Sequence, residues 1–308
     1  MAKQKKFILQ ESEIPTQWYN IQADMPNKPM PPIHPATKQP LGVDDLAHIF
    51  PRECCVQELD TEHRWIDIPE DVLEKYKYYR STPLVRAYAL EEALGTPAHI
   101  YFKNESTNPL GSHKINSALP QCYYAKQEGT TNVTTETGAG QWGAALSYAA
   151  KIYGLDCAVY QVKITMQQKP YRSSIMRTFG AVVTGSPSMS TRAGKDILTK
   201  DPTHSGSLGT AISEAVELAT TTPNCKYTLG SVLNHVGLHQ TIIGLEAEKQ
   251  MQMAGEYPDI VIGCFGGGSN FGGISFPFMR HNLSGERHTE FIAAEPDSCP
   301  KLTRGQFR

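Results

Sequence analysis

Three short segments carry side chains whose types and spacing could do chemistry. The first is Asn108-Pro-Leu-Gly-Ser-His-Lys-Ile-Asn116. Ser112 reads as the cap of a helix whose first turn holds His113 and Lys114. An ammonium there opposes the positive end of the helix dipole, which lowers its pKa and frees the amine for Schiff-base chemistry. Most lysines are solvated surface charges, but the i−4 and i+4 neighbours of Lys114 are Leu110 and Ala118, so no helical carboxylate pairs with it. The second segment is Thr135-Glu-Thr-Gly-Ala-Gly-Gln-Trp-Gly143. Its glycines let a backbone approach a ligand, a helix starting at Gln141 offers free N–H groups to an anion, and Glu136, one step past a strand, suits a general acid or base. The third is Cys264-Phe-Gly-Gly-Gly-Ser-Asn-Phe-Gly-Gly273, where Gly266, Gly267, Gly268, Ser269 and Asn270 form a cradle for one phosphate. A dinucleotide fingerprint fails here because Phe271 stands where the third glycine belongs, and no Gly-Lys-Ser/Thr follows to make a Walker loop. His235 and His239 share the spacing of a helical metal pair, yet the glutamate of H-E-x-x-H is replaced by Val236 and no third ligand is evident, so no metal is expected.

Each segment falls where a strand meets a helix, the edge at which α/β folds place ligands. Apolar runs and alternation predict strands over 98–103, 132–135, 157–162, 181–184, 259–265 and 290–294. Helices are predicted over 69–77, 141–153, 170–179, 208–219 and 238–254, several ending before a glycine. Pro120 lies inside the helix expected after Lys114, which predicts a kink or an early end near Leu119. Alternating strands and helices imply parallel sheets covered on both faces. Residues 1–79 differ: prolines at 26, 29, 31, 32, 35 and 40 predict an extended arm, and Trp18, Tyr19, Ile33, Leu46, Ile49, Phe50 and Trp65 give it apolar anchors.

Composition narrows the class. The 29 basic and 31 acidic residues of the 308-residue chain nearly cancel, which removes the footprint of a nucleic-acid or anionic-membrane binder. No apolar run reaches a signal core or a membrane span, so a cytoplasmic protein is expected. Seven cysteines without a C-x-x-C pair indicate core thiols rather than disulfides or a zinc ribbon. The length favours two domains over one core.

An imine-forming lysine, a phosphate cradle, a second anion loop and an adjacent carboxylate together point to pyridoxal phosphate. The sequence resembles the beta subunit of tryptophan synthase, in its subfamily with a long N-terminal arm. The likeness covers nearly the whole chain and rests on Thr16-Gln-Trp-Tyr-Asn20, the proline-rich arm, Phe50-Pro51, Thr82-Pro-Leu84, Gly111-Ser-His-Lys114, Glu136-Thr-Gly-Ala-Gly-Gln141, Gln168-Lys-Pro-Tyr171, Leu229-Gly-Ser-Val232 and Gly266-Gly-Gly-Ser-Asn270. Glu136 to Gln141 is the most specific of these, whereas the lysine and triple-glycine motifs are shared with threonine synthase, serine dehydratase and cysteine synthase.

The resemblance implies an α/β chain of pyridoxal-phosphate fold type II, with two interleaved three-layer domains and mostly parallel sheets. Residues 1–79 would pack on the N-terminal domain, 113–235 would complete that domain with its mobile substrate-side part, and 80–112 with 236–308 would form the C-terminal domain. It implies that Lys114 carries pyridoxal 5'-phosphate as a Schiff base, that His113, Ser231, Gly266, Gly267, Gly268, Ser269 and Asn270 hold the cofactor, and that Thr137, Gly138, Ala139, Gly140 and Gln141 grip the amino-acid carboxylate. Glu136 would be the acid/base catalyst of a β-replacement in which L-serine and indole give L-tryptophan. A homodimer and a monovalent cation are implied as well. Trp142 stands where the main branch has histidine, which implies a tryptophan synthase alpha subunit bound weakly or not at all. Relatives continue beyond Lys301, so the second domain is expected to lack a C-terminal part, including the hydroxyl that bonds the pyridine nitrogen. The competing readings are a same-fold enzyme acting on another β-substituted amino acid (a serine or threonine dehydratase, a threonine synthase or a phosphoserine user) and an incomplete, inactive chain.

Overall fold

The computed structural model of the chain describes residues 4–34 and 36–306. Pro35 of the arm lies outside the described residues. Contacts divide the chain into two compact units. One gathers the residues up to Lys28, Thr61–His113 and those from Val236 onward; the other gathers Pro29–Asp60 and Lys114–His235. The arm is therefore shared between them, with Trp18 and Tyr19 fully buried in the first and Ile49 and Phe50 packed on a core cluster of the second.

The second unit is built on four parallel strands in the order Val182–Ser186, Asp156–Val162, Asn132–Thr137, Cys225–Tyr227. Every residue from Val133 to Thr137 is buried. Side chains alternate between faces, so both faces of this central strand are covered, and its β-branched threonines suit that position. The strand runs two residues beyond the predicted 132–135 and takes Glu136 into the sheet rather than leaving it past the end. The edge strand Cys225–Tyr227 has no counterpart among the predicted elements, because three residues are too few for a period to register. Helix Gln141–Tyr153 stops at Gly154, whose left-handed backbone lets its N–H reach the Ala150 and Lys151 carbonyls.

Helix Ile115–Gln127 runs through Pro120 instead of ending near Leu119. Proline forfeits the one bond to Asn116, a cost of about 3 kcal/mol in an isolated helix. Here all eight residues from Ile115 to Cys122 are buried, and that packing outweighs the lost bond. The helix begins at Ile115, with Lys114 at its cap position and no side-chain cap. Ser112 thus lies two residues before the cap position rather than at it. The Asn108 side chain ties the preceding turn, accepting from the Leu110 N–H at 3.0 Å and donating to the Ser112 carbonyl at 2.8 Å.

The first unit holds one parallel pair, Ile260–Cys264 with Glu290–Ala294, beside antiparallel pieces: Leu84–Arg86 between Lys6–Phe7 and Tyr101–Lys103, and Gln17–Tyr19 with Trp65–Asp67. The helix predicted over 238–254 is two helices, Asn234–Gln240 and Ile242–Ala254. Thr241 sits at the break, where its hydroxyl donates to the Leu238 carbonyl at 2.6 Å and accepts from the Tyr19 N–H at 3.0 Å. A side chain serving its own backbone in this way competes with the helical ladder. Among the described residues no helix is long and apolar enough to cross a membrane.

Candidate active site

In the second unit, the side chain of Lys114 is largely withdrawn from water and donates to the Gly230 carbonyl at 2.9 Å. Burial disfavours its charged form and the nearby Glu136 favours it; burial wins, and the amine is brought down to about 8. Glu136 is only 6% exposed. Burial raises its carboxyl to about 7, against the opposing pull of a hydrogen bond from Tyr227, its own backbone N–H, the Lys114 charge and Thr135. A base and an acid thus sit in one unit with their titrations displaced towards each other, each able to change protonation state near neutral pH.

The loop after Glu136 is shaped by its neighbours. Thr137 closes the strand and its hydroxyl accepts from the Gly143 N–H at 3.2 Å. The Gly138 carbonyl accepts from the Thr165 hydroxyl. Gly140 has φ +92° and stands so close to Arg172 that an added Cβ would lie 2.6 Å from the arginine Cβ. Gly140 at the cap position has no side chain and Thr137 takes the Gly143 N–H, which leaves the start of the helix at Gln141 with N–H groups suited to an anion such as a carboxylate. Trp142, one residue on, is buried and donates its indole N–H to the Thr135 hydroxyl at 2.7 Å.

In the first unit, the strand Ile260–Cys264 leads into the triple glycine. Gly268 has φ +97° and opens the helix Ser269–Ser284, again without a side-chain cap. A Cβ on Gly266 would meet nothing within 4 Å, so the loop faces open space. The Ser269 hydroxyl lies 3.1 Å from the His113 Nε2, while Asn270 braces the loop by accepting from the Cys264 N–H at 3.1 Å. Open space, uncapped N–H groups, a hydroxyl and an imidazole form a donor set suited to a phosphate. Taken each within its own unit, this donor set suits the phosphate of pyridoxal phosphate and the withdrawn amine of Lys114 suits its aldehyde.

Ser231 follows Gly230 and is partly exposed, with Val232 beyond it in the left-handed region at φ 80°. His235 is held by Glu58, 2.9 Å from its Nδ1, and the His239 ring packs 4.6 Å from the Trp18 ring. Each packs inside its own unit. Among the described residues no group of three or more His, Cys, Asp or Glu side chains is placed to hold a metal. Sequence reasoning missed Tyr227, whose hydroxyl donates to Glu136. The one available signal was the apolar alternation Cys225, Tyr227 after the Pro223-Asn224 turn.

Comparison with known proteins gives the chain relatives. The family model for pyridoxal-phosphate dependent enzymes matches residues 76–306. The chain is 55% identical over 299 residues to tryptophan synthase beta chain 2 of Thermotoga maritima, covering 97% of this chain and 70% of the relative. It is 53% identical over 307 residues to the beta chain 2 of Methanothermobacter thermautotrophicus, with 98% and 70% covered. For the beta chain 2 of Aquifex aeolicus the figures are 52% over 307 residues, with 99% and 70% covered. Among solved structures, a threonine deaminase from T.th. matches with a TM-score of 0.55 at 20% identity, over 76% of this chain and 66% of that one. Diaminopropionate ammonia lyase of Escherichia coli, in apo form, matches with a TM-score of 0.58 at 18% identity, over 71% and 60%. These structural likenesses speak for a shared fold.

Proposed function

The chain belongs to the pyridoxal-phosphate-dependent enzymes and, among them, to the tryptophan synthase beta chains, and from that premise we infer that it is a lyase joining L-serine to indole to give L-tryptophan and water. One observation supports the site assignment above the others: within a single unit, burial moves the Lys114 amine down to about 8 and the Glu136 carboxyl up to about 7.

When bound, pyridoxal phosphate supplies an aldehyde that captures amines and a ring that draws electron density from an attached Cα. Lys114 would hold it through its amine, and the loop Gly266, Gly267, Gly268, Ser269 and Asn270, with His113 and Ser231, would hold its phosphate. The N–H groups of Thr137, Gly138, Ala139, Gly140 and Gln141 would bind the carboxylate of serine and orient its Cα–H bond. At neutral pH a useful fraction of the Lys114 amine is unprotonated, so it can take the Cα proton and later return it. Protonated Glu136 gives its proton to the departing β-hydroxyl. Ionised Glu136 then accepts a hydrogen bond from the indole N–H, which raises electron density at the attacking C3.

We further propose a cytoplasmic homodimer, with an alpha subunit bound weakly or not at all; gel filtration with and without an alpha subunit tests the assembly. Loading with pyridoxal phosphate, reduction with borohydride and peptide mass spectrometry should label Lys114. Serine with indole should yield tryptophan. An unlabelled Lys114, or pyruvate formed at a rate indifferent to indole with no tryptophan, refutes the reading.

A further inference from the structure

Glu136 has two oxygens, and the side-chain hydrogen bonds it receives fall on one of them. The Tyr227 hydroxyl donates to Oε2, and the Thr135 hydroxyl oxygen lies 3.5 Å from that same atom. The proton of Thr135 is committed elsewhere. It goes to the Thr228 carbonyl at 2.7 Å, while the Thr135 oxygen accepts from the Trp142 indole N–H at 2.7 Å. A 3.5 Å contact is at the limit of hydrogen bonding, so Tyr227 is the effective donor. Tyr227 is itself fixed from behind. It is 3% exposed, its N–H donates to the Ile49 carbonyl at 2.9 Å, and its ring packs against Phe50 with centroids 5.6 Å apart. Both of those residues belong to the N-terminal arm and to the same unit as Glu136.

We propose that Tyr227 is the positioning residue of Glu136, holding Oε2 so that Oε1 is presented to the substrate, and that Ile49 and Phe50 of the arm hold Tyr227 in that pose. The proposal rests on Glu136 being the acid/base group. A hydroxyl donor favours the ionised carboxylate and burial favours the neutral acid. The titratable groups acting on Glu136 are Tyr227 and Lys114, and Tyr227 in turn feels Glu136. Removing the donor leaves burial less opposed. The arm thereby acquires a task beyond covering apolar surface: it carries the pocket that keeps a β-replacement acid switchable near neutral pH.

The test follows the carbonyl stretch of the protonated Glu136 carboxyl by infrared difference spectroscopy in cofactor-free protein, the band being assigned by its absence in Glu136→Gln. In Tyr227→Phe the midpoint should move up by about one pH unit. The pH profile of the indole-dependent rate of the loaded enzyme should move the same way, with KM for serine changed by less than about twofold. Phe50→Leu should give a smaller shift in the same direction, and the double variant no more than Tyr227→Phe alone. An unchanged or lowered midpoint in Tyr227→Phe that retains native circular dichroism overturns the proposal. If that variant does not fold, Phe50→Leu decides, and an unmoved midpoint there overturns it too. Full indole-dependent turnover in Glu136→Gln would instead sink the acid/base reading, whatever the titrations show.

Discussion

Lys114 and Glu136 are displaced from the ordinary behaviour of their kinds by the same cause, the removal of water, acting on opposite charges. Burial penalises an ammonium and a carboxylate alike, so the amine titrates low and the acid titrates high. The consequence for stability has a definite sign. Between the exposed glutamate value of 4.5 and about 7 the folded Glu136 keeps a proton that the unfolded chain releases, so stability falls as pH rises through that window. Cofactor-free Glu136→Gln, which lacks this term, should gain on the parent by up to about 3 kcal/mol between pH 4.5 and pH 7. Urea unfolding midpoints at the two pH values measure it. For catalysis, Lys114→Ala should abolish turnover, and Glu136→Ala should slow it by about 10²- to 10⁴-fold while borohydride still labels Lys114. Loss of labelling in Glu136→Ala would contradict its assigned role.

Elements place these groups through small residues and close approaches rather than through strong local propensity. Gly230 is the clearest case, since its carbonyl takes the Lys114 ammonium and a Cβ on it would lie 2.5 Å from the Trp142 ring. Gly230→Ala should therefore destabilise by about 1–3 kcal/mol through overpacking, read as a lower Tm, and should weaken cofactor retention by displacing Lys114. The strand–loop–helix order around Glu136 was legible because apolar runs and glycine punctuation report it directly. Three details were not. The Cys225–Tyr227 strand is too short to show a period, the break at Thr241 depends on a hydroxyl meeting the distant Tyr19 N–H, and helix 115–127 survives Pro120 only because its neighbours bury it.

At the scale of the molecule, the first unit is tied by a buried ion network drawn from distant parts of the chain. Arg80 binds Glu246 at 2.6 Å and Glu105 at 3.1 Å, and Lys103 binds Glu246 at 2.6 Å. Burial alone would raise the Glu105 carboxyl, but the Arg80 and Lys103 charges outweigh it and bring it down to about 2. Its contribution is thus fully present above the exposed value of 4.5 and is lost as pH falls towards 2. Glu246→Ala, which takes the carboxylate from buried Lys103 and leaves Arg80 with Glu105 alone, should cost about 3–5 kcal/mol in urea unfolding at neutral pH. None of these pairs is recognisable from spacing, because the bonded partners lie 25, 143 and 166 residues apart and are joined only by folding. By itself, the sequence determined the α/β class and singled out Lys114, Glu136 and two glycine-rich loops for test, since glycine, residue type and strand-to-helix order are local properties written in adjacent residues. Only the tertiary structure decided that Glu136 lies inside its strand, that Tyr227 and the arm stand behind it, and that burial brings its titration to meet that of Lys114. Burial and hydrogen-bond partners are set by residues far away in the chain, and no local pattern encodes them.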